Sequence, residues 1–354
     1  MSLLSKIIRR LKSNRGEDSG SVRRREEVFV PGLPHARLVT THKHFHEPLD
    51  SPVWRDAGEA EHMQPDDPVL GLYIDGQAWA FPWWILKNHH VANLTLNGRA
   101  VLVSLCEICA SGAAFDARVN GAPHSFRIAG KYNGSHFIRD YETDSSWAPF
   151  TGECLEGALK GEVLERLPLV LAAWSDWQTE QPSTKVLYGP QEWRQGHGSS
   201  YRPDSDGSQR GARGFRSFLI RPLDERLHHQ ELVLGVKVNG ESRAYPLSEL
   251  DVAGPVTNDM LGGRAITIVH RPNTYIATAF SRYVDGETVT LHAPETGVIA
   301  DREHGRRWNY AGELMPGSDG APNLEFVWSG TEKWYIWAGF HPETDIFSSA
   351  GPPK

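Results

Sequence analysis

Cys106 and Cys109 lie in the stretch Val103-Ser-Leu-Cys-Glu-Ile-Cys-Ala-Ser-Gly-Ala-Ala-Phe115, and they are two of only three cysteines in the chain. An apolar, strand-like run ends at the first, and a turn of small residues follows the second. Two thiols so placed can either share one ion or close as a disulfide. Thiolates are soft ligands that suit copper(I), zinc and iron, and an imidazole can complete such a site. In thioredoxin-like redox proteins the Cys-x-x-Cys opens a helix that lowers the thiol pKa; here a strand precedes it, which favours metal over a cycling dithiol. A structural zinc site would want four closed ligands, usually from a second Cys-x-x-Cys, and Cys154 stands alone as a half-buried filler. Three ligands with an open position would instead make a catalytic or substrate-binding centre.

The nitrogen donors expected beside the sulfurs are histidines. His89 ends the segment before the strand that carries Cys106, and a strand running back along its neighbour could bring the two together. Upstream, Thr41-His-Lys-His-Phe-His46 puts His42, His44 and His46 on one face if the segment is extended. Of these, His44 and His46 lie nearest the folded body and are the better candidates. His270 and His341 are candidates in the second half, although the Trp-rich surroundings of His341 suit a hydrogen-bonded core residue.

The elements that must position these groups are written twice. Val69-Leu-Gly-Leu-Tyr-Ile-Asp-Gly-Gln-Ala-Trp-Ala-Phe-Pro82 returns as Val233-Leu-Gly-Val-Lys-Val-Asn-Gly-Glu-Ser-Arg-Ala-Tyr-Pro246. Alternation of apolar and polar residues around Asp75-Gly76 and Asn239-Gly240 predicts a β-hairpin with a tight turn in each copy. Asn93, Gly98, Phe115 and Gly121 correspond to Asn258, Gly263, Phe280 and Gly286. Trp147 aligns loosely with Trp308, and Gln181-Pro-Ser-Thr with His341-Pro-Glu-Thr. The same alignment sets Cys106 and Cys109 against Arg271 and Thr274, and Leu105 against His270. The thiols therefore belong to one copy only, as expected if one half keeps chemistry and the other keeps shape.

The pattern V-L-G-[VL]-x-[VI]-[DN]-G-x-[AS]-x-A-[YF]-P, a downstream H-x-[VI]-x-N, a strand ending in Cys and a G-x-A-F-D-x-x-V-x-G hairpin together resemble the DUF3179 family of uncharacterised bacterial and archaeal proteins. The resemblance covers about Asp66 to Phe347. It implies that His89 and Asn93 occupy the family's histidine and asparagine. The family stretch Y-C-P-L-[CT]-x-[ST] reads Leu105-Cys-Glu-Ile-Cys-Ala-Ser111 here, with both cysteines present and the Tyr and Pro absent. Of the family's N-S-D and Y-D-R-E-T elements, Asn133, Asp140, Glu142 and Thr143 carry over.

Composition narrows the rest. A chain of 354 residues with 39% hydrophobic side chains builds a packed core, and its net charge of -7, with no basic stripe, argues against nucleic acid. The odd cysteine number excludes a secreted disulfide scaffold, and no apolar run could span a bilayer. Leu4, Ile7, Ile8 and Leu11 are interleaved with cations, which is not a signal peptide; a cytoplasmic location is expected, with at most weak membrane-surface contact through this amphipathic segment. There is no dinucleotide fingerprint, P-loop, nucleophile elbow or H-E-x-x-H.

The expected architecture is mainly β (α+β): two tandem pseudo-symmetric β-rich repeats, barrel-like if the hairpins curl, with few short helices. Residues 1–65 are read as an N-terminal arm, 66–190 as the first repeat, 191–231 as a connection that is a lid or a linker, and 232–354 as the second repeat. The expected function is a metal-dependent enzyme, oxidative chemistry included, acting on a small molecule at a Cys/His centre of Cys106, Cys109 and His89, joined by His44 or His46. Copper is favoured over iron or zinc, which would make it a copper-dependent oxidoreductase. The alternative is a non-catalytic metal store or sensor, or a ligand-binding module.

Overall fold

The computed structural model describes residues 46–195, 203, 219–318 and 320–351, together with the backbone of Arg25–Phe29 and Arg37–Thr41. The structure is mostly β, with multiple sheets and four short helices among the described residues. The duplication read from sequence is a duplication of sheets. In the first copy Leu169–Ala173, Pro68–Ile74, Gln77–Pro82, Lys185–Tyr188 and Val53–Asp56 form one sheet in that order; in the second, Ser329–Lys333, Leu232–Val238, Glu241–Pro246 and Asp345–Ile346 repeat it. A second sheet, Arg166–Leu167, Ser111–Asp116, Arg99–Cys106 and Val91–Leu96, has its twin in Phe326–Val327, Ala277–Ser281, Arg264–His270 and Val256–Leu261.

Both predicted hairpins form. Asp75 and Gly76, and likewise Asn239 and Gly240, take positive φ, the geometry a two-residue turn demands to match strand twist. Pro82 and Pro246 end the hairpins and start the helices Trp83–Leu86 and Leu247–Ala253, where a missing N–H costs nothing.

Packing explains the retained residues. A Cβ on Gly71 would run into the Trp177 ring, and one on Gly235 into Trp337. Each indole is fixed by its Nε1–H, which donates to Thr184 Oγ1 at 3.0 Å in one copy and to Thr344 Oγ1 at 2.9 Å in the other. Asn93 holds the backbone of Phe126 through both ends of its amide, and Asn258 does the same for Leu291. One apolar core containing Leu70, Leu105 and Leu171 from the first copy and Leu234, Ile268 and Ile276 from the second runs through both.

The sheets remain open: no closed barrel forms among the described residues, which corrects the barrel expectation. The physical reason lies in the third sheet of the first copy. There Phe126–Tyr132 and Ser135–Asp140 extend on one side to Ser146–Trp147 and Cys154–Glu156, and on the other to Arg37–Thr41 and Arg25–Phe29, so its edges are covered by added strands rather than joined to each other. The N-terminal segment thus contributes strands, and Val53–Asp56 belongs to the first sheet. The amphipathic stretch at residues 4–11 lies outside the described residues.

Candidate functional site

Antiparallel pairing of Val91 with Ser104 sets His90 opposite Leu105. Leu105 N–H donates to the His90 carbonyl at 2.9 Å, and His90 Nδ1–H donates to the Leu105 carbonyl at 2.9 Å. His90 pays for this placement with a left-handed backbone, φ +60°, which side-chain-bearing residues seldom adopt. Ser104 and Cys106, two apart on one strand, share a face. Ser104 Oγ meets His136 Nε2 at 2.9 Å, bringing Ser135–Asp140 against the end of the cysteine strand.

Three imidazoles follow one another ring on ring. His46 and His90 have centroids 4.4 Å apart, and His90 and His136 5.8 Å, both edge to face; Phe150 backs His136 at 5.7 Å. His46 Nδ1–H donates to the Asn88 carbonyl at 2.9 Å. Because a carbonyl can only accept, Nδ1 carries a proton in His46 and in His90, which leaves Nε2 of each ring as the nitrogen that could bind an ion. Burial, and secondarily the charge of His90, lowers the pKa of His46; burial holds that of fully enclosed His136 well below the usual imidazole range. Both are thus neutral donors at neutral pH.

The cysteines sit beside this row, 2% and 0% exposed. Their sulfurs are joined as a disulfide across a tight turn, with Cα atoms 5.3 Å apart. Cys109 Sγ lies 3.5 Å from Ser135 Oγ, the neighbour of His136, and the Cys109 carbonyl accepts Lys333 N–H of the second copy at 3.1 Å. Glu107, inside the turn, has Oε2 3.5 Å from His90 Nδ1 and buried without a hydrogen bond. Lys87 Nζ is buried without one as well, and burial lowers its pKa against the attraction of Glu107.

His46 is therefore brought to the site, next to His90 and His136. His89 makes different contacts: Nδ1–H donates to the Glu47 carbonyl at 2.8 Å, the ring packs 5.4 Å from Trp193, and Nε2 is buried without a partner. It is the adjacent His90 that touches the cysteine turn. His44 lies outside the described residues. His341 is half-buried between Trp328 and Trp337, where burial pushes its pKa down to about 3. His270 Nδ1 and Nε2 face the Ile276 carbonyl and Asp251 at 2.9 and 2.8 Å. Cys154 is free and buried, its thiol pushed up to about 11 by burial, which makes it inert. The connection opens with Gln191–Gln195, whose Arg194 pairs with Asp67, and re-enters where Ile220 N–H donates to Asn133 Oδ1; the choice between lid and linker rests on residues that lie largely outside the described ones.

The pairing register shows what the second copy has instead. His90 faces Pro255, Ser104 faces Val269, Glu107 faces Pro272, and Cys106 faces Arg271, because Leu105 and His270 make the same bond to residues 90 and 255. Arg271 there reaches Glu180 Oε1 at 3.1 Å. His90, Ser104, Cys106 and Glu107 are thus all replaced, while the glycine, tryptophan and asparagine contacts described above are kept.

The chain matches a family model described as "Protein of unknown function (DUF3179)" over residues 48–344. It belongs to the DUF3179 family. No curated protein and no solved structure matches. Within this DUF3179 chain, the carried-over positions divide by role. Asn93 clamps Phe126, and Asn133 bridges Ile220 N–H and the Gly339 carbonyl, so both are scaffold. Cys106 and Cys109 lie at the polar cluster. His90 and His136 went unrecognised in the sequence; the signal that could find them is the one that found the cysteines, a polar residue in one copy with an apolar or glycine counterpart.

Proposed function

We propose that this protein is a metal-dependent enzyme that transforms a small molecule at a copper centre in its first repeat, in the cytoplasm. The observation that carries the reading is the row His46, His90 and His136 beside Cys106 and Cys109, in one copy of a doubled scaffold whose other copy has Pro255 and Arg271 in place of His90 and Cys106. The donor types suit such a centre: imidazoles each hydrogen-bonded through one ring nitrogen, as metal-bound histidines usually are, with soft sulfur alongside. The rings neighbour one another with centroids 4.4 and 5.8 Å apart, and closing their nitrogens on one ion, about 2.0–2.1 Å from each, would take a shift of the side chains on binding.

In this arrangement His46, His90 and His136 would supply nitrogen, and Cys106 and Cys109 would supply thiolate once the pair is reduced, which a cytoplasmic setting favours. Bound copper would supply one-electron chemistry. Glu107, held 3.5 Å from His90, is placed to take up or return a proton there. Lys87 offers a second buried group whose cationic form is disfavoured.

Copper(I) titration in competition with a coloured chelator tests this. The reduced protein should hold copper more tightly than His136→Ala and Cys106→Ser; equal affinity in all three rejects the centre. An enzyme should then turn over a small molecule only when loaded, whereas a store should yield its copper to chelator without substrate chemistry. The joined sulfurs also support a dithiol that cycles; in that case thiol trapping with and without reductant would track activity and copper would be irrelevant.

A further inference from the structure

We infer that the first repeat holds a second cation site, separate from the cysteine cluster, formed by His124, Asp140 and Glu142 and suited to a divalent ion such as zinc. Among the described residues this is the group of three donors whose atoms all lie within 4.8 Å of one another. His124 Nδ1 stands 3.6 Å from Asp140 Oδ1 and 3.6 Å from Glu142 Oε2, too far for a hydrogen bond and close to the separation of two ligands on one ion. The His124 side chain is 8% exposed and its Nδ1 is buried with no hydrogen-bond partner. A buried ring nitrogen aimed between two carboxylates points to a ligand.

The second repeat provides the control. Its turn is built by the same bonds: His304 N–H donates to Asp301 as Thr143 N–H does to Asp140, and Glu303 receives Thr290 N–H as Glu142 receives Ser125 N–H. The carboxylates are therefore scaffold in both copies, and what differs is how the buried charge is balanced. Asp301 is paired with the Arg306 guanidinium, which also reaches Asp285 and Glu287. At the position of Arg306 the first copy has Ser145, since Asp140 N–H bonds the Ser145 carbonyl where Asp301 N–H bonds that of Arg306. Asp140 is 0% exposed, and its acceptors are met by Thr143 and by Trp147 Nε1–H rather than by a guanidinium like that of Arg306. At the position of His124 the second copy has Val289, because both donate their N–H to the preceding ribbon strand. One copy thus has carboxylate plus guanidinium, and the other has carboxylates plus an imidazole. A cation with imidazole and carboxylate ligands supplies the charge that Arg306 supplies in the twin.

The full-length chain carrying His136→Ala, which disables the cysteine-side centre, should retain about one zinc after equilibrium dialysis against zinc chloride, by the usual stoichiometry of a closed site. Adding His124→Val, the twin's own residue, should abolish that zinc and the zinc-dependent rise in Tm. Ser145→Arg, which imports the twin's guanidinium, should abolish it too while leaving the protein folded. Undiminished zinc in both variants, or none in the His136→Ala parent, overturns the site. Loss of copper binding at the cysteines would leave this result untouched.

Discussion

Arg166 of the first repeat crosses to the second: its Nε–H donates to the Ser329 carbonyl at 2.9 Å, and its guanidinium lies 4.3 Å from the Trp328 ring centroid. The crossing needs Gly330, where any Cβ would meet the guanidinium, and it places a cation near Glu332 in the same interface. Burial raises Glu332 to about 7 against the attraction of Arg166, and burial brings Arg166 down to about 10.

A pH dependence follows from Glu332. A carboxyl whose folded pKa stands above its unfolded value of 4.5 favours folding when protonated, so its contribution is complete below 4.5 and is lost as pH rises through about 7. The loss should amount to roughly 3–4 kcal/mol at most, from about 1.4 kcal/mol per unit. Chemical denaturation of wild type between pH 4.5 and 8 should show this decline, and Glu332→Gln should flatten it. An identical slope in the variant would place the titration elsewhere.

Close approach at Gly71 and Gly235 predicts matched costs. Alanine at either position drives a methyl into an indole held by threonine, and overpacking of this kind costs about 1–3 kcal/mol. Urea midpoints should fall for Gly71→Ala and Gly235→Ala alike, with metal content unchanged in the protein that remains folded. Wild-type stability for either would show that the indole can move aside.

Asn93 and Asn258 test whether a family position is scaffold or chemistry. Each amide satisfies two backbone groups of the facing strand, so alanine should cost about 1–3 kcal/mol in either copy. Comparable losses for Asn93→Ala and Asn258→Ala, measured by denaturant unfolding, are expected. A stability cost confined to one of them would break the equivalence.

The doubled architecture was legible in sequence because glycine turns, the paired prolines and alternating hairpins obey local rules, and because Gly71 and Gly235 admit no other residue. The cysteine strand was legible for the same reason. The partners of the site were not. His89 and His90 are adjacent, and which ring turns to the cysteines is decided by the left-handed backbone at His90 and by the Leu105 carbonyl, neither of which spacing reveals. His136 lies where the repeat offset shifts, after an ungapped match that ends near Gly121, so its counterpart Gly297, four residues before Asp301 as His136 is before Asp140, was hidden. The open sheets were likewise decided by edge strands from the N-terminal segment, which carries no hairpin signal of its own.

Ser104 connects scaffold and chemistry. Its twin is Val269, so Ser104→Val should still fold, at a cost of about 1–3 kcal/mol for the larger side chain in a fully buried position. Losing the contact to His136 should weaken metal binding by about 10–100-fold, the usual cost of removing a group that orients a ligand. Unaltered affinity would detach His136 from the centre.

Elemental analysis of protein purified without a metal-affinity tag, on wild type, His136→Ala and Cys106→Ser, tests the central claim most directly. Near-stoichiometric copper in wild type that disappears from both variants is the predicted result. Copper absent from wild type, or retained unchanged in both variants, would contradict it.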